Sequence, residues 1–184
     1  MFTIDTLDPT HANGRAQELL ENTQAKFGFV PNLMGVMANA PALAEAYGAL
    51  GKFFEATSFN ATERQVVLLA ASRVNGCHYC MAAHSAIALM QKVPEDVVAA
   101  LRGDQPIADA KLDALRQLTV AIVESRGWPE ESTISAFLAA GYKASQVLEV
   151  VLGVGMKILS NYTNHIAHVQ LDAQFAAQKW TPPE

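Results

Sequence analysis

Apolar residues recur along this chain at intervals of three and four, the period of helices that bury one side against a core. No run alternates apolar and polar positions as a half-buried strand does, and no Asn-Gly hairpin joins β-branched segments. Glycine, proline and asparagine punctuate the pattern and predict about eight helices. The first runs from Gly14 to Phe27 and stops at Gly28. A short turn follows over 31–38. Pro41, suited to the first helical position, opens a helix to about Ala56. Asn60 caps the next, which ends near Val74. After Asn75-Gly76, Cys77 begins another, to about Gln91. A shorter helix from Pro94 closes at Gly103. Asp109 to Arg126 is long and amphipathic, and Gly127 with Pro129 ends it. Glu130 to Ala140 and Ser145 to Ala167 complete the set. The tail 168–184, with Pro182-Pro183 near its end, reads as irregular. These elements predict an all-α, single-domain helical bundle over 1–184, with the most informative stretch at about 60–102.

The last long helix carries Gly153 and Gly155 among Val and Leu. A mid-helix glycine costs about 1 kcal/mol against alanine, so a compensating contact is expected. Close helix packing is the plainer explanation and subunit contact the sharper one. Trp128 and Trp180 read as packing residues.

Composition narrows the function classes. Of 184 residues, 51% are apolar and 17% charged, with a formal net charge of -5. That excludes global disorder. Without a cluster of Lys or Arg, a nucleic-acid partner or an anionic membrane surface is not expected. No apolar run is long enough for a spanning helix. The segment Met1 to Asp8 has neither a basic flank nor an apolar region of a secretory signal. The two cysteines, Cys77 and Cys80, form one Cys-x-x-Cys pair. One close pair does not staple a fold of this size, and it points to redox or metal chemistry in a cytoplasmic protein.

The pair has company. On a helix of about 100° per residue, with Cys77 at zero, Cys80 falls at about 300° and His84 at about 340°. Cys80 and His84 lie four apart, so their side chains share a face, and Met81, Ile87 and Ala88 fall on it too. This gives a dithiol and an imidazole in apolar surroundings, reached through a narrow pocket. His78 and Tyr79 point away and read as packing or rim residues. A thiolate, not a thiol, attacks peroxide, and a helix N-terminus or a nearby His favours it. The resulting sulfenic acid condenses with a second thiol, and the imidazole can carry the proton. On the preceding helix, Glu63 falls with Val66, Val67, Ala70 and Val74, whereas Gln65 falls beside Ser72 on the opposite side. A carboxylate on an apolar face needs a partner, and the Cys–His cluster is a suitable one. Glu63 also stands three after Asn60, the spacing of a capping box. His165 and His168 suit a helix C-terminus, and His165 is a minor site candidate.

Glu63, Cys77-His-Tyr-Cys80 and His84 resemble the core motif of the alkylhydroperoxidase D-like family, within the carboxymuconolactone decarboxylase superfamily. Phe27-Gly-Phe-Val-Pro-Asn-Leu and Asn164-His-Ile-Ala are similar to its peroxidase-related branch. The resemblance implies an all-α fold, homo-oligomers (trimers or hexamers) and reduction of a small hydroperoxide through the cysteine pair. It implies Cys80 as peroxidatic, Cys77 as resolving, and His84 with a Glu as proton relay. A lipoyl-type dithiol is the implied electron donor, and no cofactor or metal is. The family's own Glu position is held here by Gln65, and its His before the second cysteine by Tyr79. The helix dipole alone favours Cys77 as the thiolate, whereas the His84 contact and the family favour Cys80. Two other readings compete: a general dithiol–disulfide oxidoreductase or redox sensor, and a zinc module built on Cys77, Cys80, His84 and a fourth ligand.

Overall fold

The computed structural model describes residues 3–182, so Met1, Phe2, Pro183 and Glu184 lie outside it. Nine α-helices follow in order: α1 Gly14–Phe27, α2 Asn32–Met37, α3 Pro41–Glu55, α4 Ala61–Val74, α5 His78–Met90, α6 Glu95–Gly103, α7 Ala110–Glu124, α8 Glu131–Ala139 and α9 Ala144–Ala167. A 3₁₀ helix, Ala173–Gln178, comes last. Among the described residues there is no strand, and no single helix is long and apolar enough to cross a membrane. Two expectations change. The short turn is a true helix, α2. The tail is not irregular throughout, because Ala173–Gln178 forms a 3₁₀ helix that packs on α5.

The bundle is organised around α4, which touches α5, α6, α7 and α9. Every residue of α4 from Gln65 to Ser72 is buried, as expected of a helix at the centre of a bundle. Its main core joins Phe54, Val66, Leu69, Leu115, Leu118, Phe137 and Val150. Phe137 stacks on Tyr142 with ring centroids 4.3 Å apart.

A second, smaller cluster holds the cysteines with Leu33, Met37, Ala44, Tyr79 and Ala83. Val169, Leu171 and Phe175 of the tail cover it. The expected apolar partners on the cysteine face are partly wrong. Met81 and Ala88 pack into the main core instead, because α5 is buried on nearly all sides and has no single inner face.

The connection from α4 to α5 fixes the cysteines. Gly76, at φ +64°, donates to Arg73 O at 2.8 Å, and Cys77 N donates to Ser72 O at 2.9 Å. This paired closure ends α4 as a Schellman motif, whose left-handed position suits glycine. Cys77 is then the N-cap of α5, and Cys80 lies in its first turn.

Of the two tryptophans, Trp180 is buried and donates Nε1–H to Arg102 O at 3.0 Å. Trp128 is 86% exposed, against its expected packing role, because it follows the end of α7 in an exposed turn. Gly153 has the packing explanation. A Cβ there would stand 2.7 Å from Val67 Cγ1 and 2.8 Å from the Phe54 ring, whereas at Gly155 it would meet nothing within 4 Å. Alanine at the two positions should therefore act in opposite directions. Gly153→Ala should destabilise by about 1–3 kcal/mol through overpacking, and Gly155→Ala should stabilise by up to about 1 kcal/mol, both read from denaturant midpoints. A lower midpoint for Gly155→Ala would place that position in a subunit contact.

Candidate functional site

Three helices converge on the cysteine pair. α5 supplies Cys77 and Cys80, both free thiols and both buried. α4 supplies Gln65. α9 supplies a polar stripe within an otherwise apolar helix: Lys157, Ser160, Asn161 and Asn164, all buried. Asn164 donates from Nδ2 to Cys80 Sγ at 3.4 Å and to Ser160 O at 2.8 Å. Cys80 Sγ lies 3.7 Å from Ser160 Oγ. Asn161 is held by Asn75, at 2.9 Å, and reaches Ser72 Oγ at 3.5 Å.

Lys157 is the residue the sequence reading missed. It is 0% exposed, and its Nζ has no hydrogen-bond partner among the described residues. The signal was present in the sequence. Val150, Gly153, Val154, Lys157, Ser160, Asn161 and Asn164 follow helical spacing on one face, and a lysine in the middle of such a face is an anomaly.

The electrostatics follow from this burial. Desolvation pushes the Cys80 thiol up, but the hydrogen bond from Cys77, the Lys157 ammonium and Ser160 outweigh it and bring Cys80 down to about 5. Cys77 moves the other way, because giving its hydrogen bond to Cys80 and being buried both favour its protonated form. The dithiol is thus asymmetric: one thiolate and one thiol. Burial opposes the charge on Lys157 too, and the Cys80 charge overcomes it and raises its pKa. Burial holds His84 neutral, well below its ordinary value, and the Lys157 charge adds to this.

The structure separates the two candidate α4 residues opposite to expectation. Gln65 is buried, and its Oε1 lies 3.2 Å from His84 Nδ1. An amide oxygen only accepts, so Nδ1 carries the proton and Nε2 is the free lone pair. Gln65 Nε2 in turn donates to Gln91 Oε1 at 3.1 Å. Glu63 is buried as expected, but elsewhere. Its Oε2 accepts from Asn60 N at 2.9 Å, Asn60 Oδ1 accepts from Glu63 N at 2.9 Å, and Oε1 faces Lys111 Nζ at 3.6 Å. Glu63 is a capping-box residue tied to α7, and the placement next to His84 belongs to Gln65. The physical reason is that α4 is buried almost all round, polar residues included, so its wheel has no unique inner face from which to read a phase.

His84 shares α5 with the cysteines, but no hydrogen bond joins it to either sulfur among the described residues. His165 faces solvent beside Tyr162, and its neighbour Asn164 enters the site instead. Tyr79 is buried and donates to Asp172 Oδ2, while Asp172 Oδ1 accepts from Asn32 N at 2.9 Å. That pair pins the tail across the cysteine cluster, a contact with no sequence signal. A cavity of about 170 Å³ is lined by His78, Tyr79, Val169, Leu171 and Trp180, and neither sulfur lines it. No group of three or more Cys, His, Asp or Glu side chains is placed to hold a metal among the described residues.

An all-helical fold with a buried, asymmetric Cys-x-x-Cys pair defines a helical dithiol protein. Residues 39–119 match the model of the carboxymuconolactone decarboxylase family. Similar solved structures extend the likeness over nearly the whole chain. An alkylhydroperoxidase core, peroxidase-related protein from Ralstonia eutropha JMP134 is 20% identical, with a TM-score of 0.78 over 95% of this chain and 96% of that one. A peroxidase-related protein from Silicibacter sp. TM1040 is 18% identical, with 0.79 over 94% and 93%. The debrominase Bmp8, in a cysteine-to-alanine variant with 2,3,4-tribromopyrrole, is 20% identical, with 0.80 over 97% and 96%. No curated protein matches the chain.

Two outcomes follow from this geometry. Glu63→Ala should cost about 0.5–2 kcal/mol as a lost cap and lower the thermal midpoint, while leaving the rate of Cys80 alkylation unchanged. A slowed alkylation would return Glu63 to the site. For Cys80, the folded pKa is depressed, so its contribution to stability is present above the unfolded thiol value and is lost as pH falls towards about 5. Thiolate absorbance at 240 nm should persist to about pH 5 in the reduced protein and vanish in Cys80→Ser. A midpoint near the ordinary thiol value would remove the asymmetry.

Proposed function

We propose that the protein is a thiol-dependent peroxidase that reduces small organic hydroperoxides or hydrogen peroxide. Cys80 is the peroxidatic residue and Cys77 the resolving one. The observation that carries this reading is the division of the dithiol: Cys80 is held as the thiolate and Cys77 as the thiol. Attack needs the first state, and condensation with a sulfenic acid is served by the second. The helix dipole favoured Cys77, but Cys77, Lys157, Ser160 and Asn164 all act on Cys80, and these short-range groups outweigh the dipole.

His84 acts as a neutral, Gln65-oriented acceptor for the proton that Cys77 loses on condensation and passes it to the departing sulfenic oxygen, which leaves as water. A carboxylate relay through Glu63 is not part of this reading. Burial of both sulfurs disfavours exchange with a disulfide carried on a large partner and favours a small substrate. The reductant is a small dithiol, and the assembly is a homo-oligomer.

The reduced protein should consume cumene hydroperoxide with formation of a Cys77–Cys80 disulfide, and turn over when a dithiol is added. Cys80→Ser should abolish the reaction. Cys77→Ser should react once and leave a sulfenic acid that dimedone traps. Swapped outcomes would make Cys77 peroxidatic, and a wild-type rate no faster than that of a free thiolate would overturn the peroxidase reading. Bromide release from 2,3,4-tribromopyrrole, without hydroperoxide consumption, would move the chain to dehalogenation.

A further inference from the structure

We infer that Lys157 donates the proton to the departing oxygen of the hydroperoxide, while Asn164 receives the hydrogen bond of its O–H group. This rests on the peroxidase reading and adds two substrate-contacting residues to it. Lys157, Ser160 and Asn164 stand at i, i+3 and i+7 on the buried face of α9, so they line up along one side of the helix. Ser160 and Asn164 lie against Cys80 Sγ. Around that sulfur, two buried polar atoms lack a hydrogen-bonded oxygen or nitrogen partner: Lys157 Nζ, a donor that answers only the Cys80 charge, and Asn164 Oδ1, an acceptor. Leaving such atoms unmatched is costly, and in a native structure each needs a reason. A hydroperoxide supplies what both lack. Its O–H can donate to Asn164 Oδ1, and its second oxygen can accept from Lys157.

The alternative acid fails on chemistry. His84 is neutral, its one ring proton is committed to Gln65, and its other nitrogen only accepts. Gln65 brings no ionisable proton. Lys157 is the cation beside the sulfur with a proton to give, and the Cys77 proton is needed for the later condensation.

The electron count closes. The Cys80 thiolate pair forms an S–O bond with the terminal oxygen as the O–O bond breaks, so sulfur is oxidised and peroxide reduced. The alkoxide takes a proton from Lys157 and leaves as the alcohol. Cys77 then condenses with the Cys80 sulfenic acid, releasing water and forming the disulfide. A small dithiol reduces that bond, becoming a disulfide itself, and the new Cys80 thiol returns its proton to the Lys157 amine. The ion pair that began the cycle is restored.

Leaving-group dependence separates this role from simple thiolate stabilisation. Lys157→Met, Lys157→Arg and the wild type are compared as reduced full-length proteins, with rates of Cys80 oxidation divided by the thiolate fraction from absorbance at 240 nm. Tert-butyl hydroperoxide expels a poor leaving group that needs a proton, and perbenzoic acid expels a carboxylate that does not. Lys157→Met should lose about 10²-fold or more with the alkyl hydroperoxide, the scale of a missing general acid, and no more than a few-fold with the peracid. Lys157→Arg keeps the charge but does not give up its proton, so it should hold the thiolate and show the same selective loss. Equal losses with both oxidants would overturn the assignment and leave Lys157 a purely electrostatic residue. Should Lys157→Met fail to fold, Lys157→Arg decides the question alone. Asn164→Ala should slow both oxidants alike, and unchanged rates would remove Asn164. A wild type no faster than a free thiolate is a different result, which sinks the peroxidase reading itself.

Discussion

A buried ammonium facing a buried sulfur is the interaction on which the rest of this site depends. Each charge alone is expensive inside a protein, because water is replaced by a medium that solvates ions poorly. Together they offset one another, and the same burial that penalises them strengthens their attraction. Cys80 is acidic because the hydrogen bond from Cys77 and the Lys157 charge outweigh its burial, and Lys157 stays charged because Cys80 is there. Neither residue's state is a property of its own helix alone. α5 and α9 must pack in one register for either to hold, and α9 is itself seated on α3 and α4 at Gly153, whose missing side chain admits Phe54 and Val67.

The same logic explains how two identical side chains, three residues apart, differ. Both cysteines are buried at the start of one helix, so dipole and desolvation alone would treat them much alike. The difference comes from the partners. α9 presents Ser160 and Asn164 to Cys80, while Cys77 serves as N-cap and as the C″ position of the motif that ends α4. The backbone turn at Gly76 thus spends one cysteine on architecture and leaves the other to the polar stripe. The tail completes the enclosure. Arg102 grips the carbonyls of Gln178 and Lys179 at 3.1 and 3.0 Å, and Tyr79 holds Asp172. Water is thereby kept from the sulfurs.

The helices were legible in the sequence because their ends carry chemistry of their own. Asn60 with Glu63, Asp109, Pro41, Gly28 and Gly76 mark boundaries by local hydrogen bonding or backbone preference, and these need no tertiary contact. The Cys-x-x-Cys-x-x-x-His spacing was legible for the same reason. The α4 contribution was not. Glu63 and Gln65 are both buried, and choosing between them requires knowing which side of a helix buried almost all round faces α5. Capping also draws a first-turn side chain back towards the N-cap, off the direction its wheel position suggests. The motif that the chain resembles has its Glu where Gln65 stands, and Gln65 is the residue that faces His84, where periodicity had pointed to Glu63. Lys157 was legible in principle as a lone cation on an apolar stripe. What hid it was distance along the chain, since nothing in the sequence pairs it with a cysteine 77 residues earlier.

An amide beside His84 and a buried lysine beside Cys80 belong together. A carboxylate beside His84 would place a negative charge in the same enclosed region as the Cys80 thiolate, and two like charges there would raise one another's pKa. Gln65 orients the imidazole without adding charge, fixing the Nδ1 tautomer by a bond that only accepts. The single positive charge of Lys157 is then left to answer the single negative charge of Cys80. Around Cys80 that leaves one cation, one thiolate, one thiol and one neutral imidazole, whose charges cancel, while the Asp172 carboxylate is answered by hydrogen bonds from Tyr79 and Asn32 N. Such a balance lets the bundle close over the Cys80 sulfur with its charge compensated.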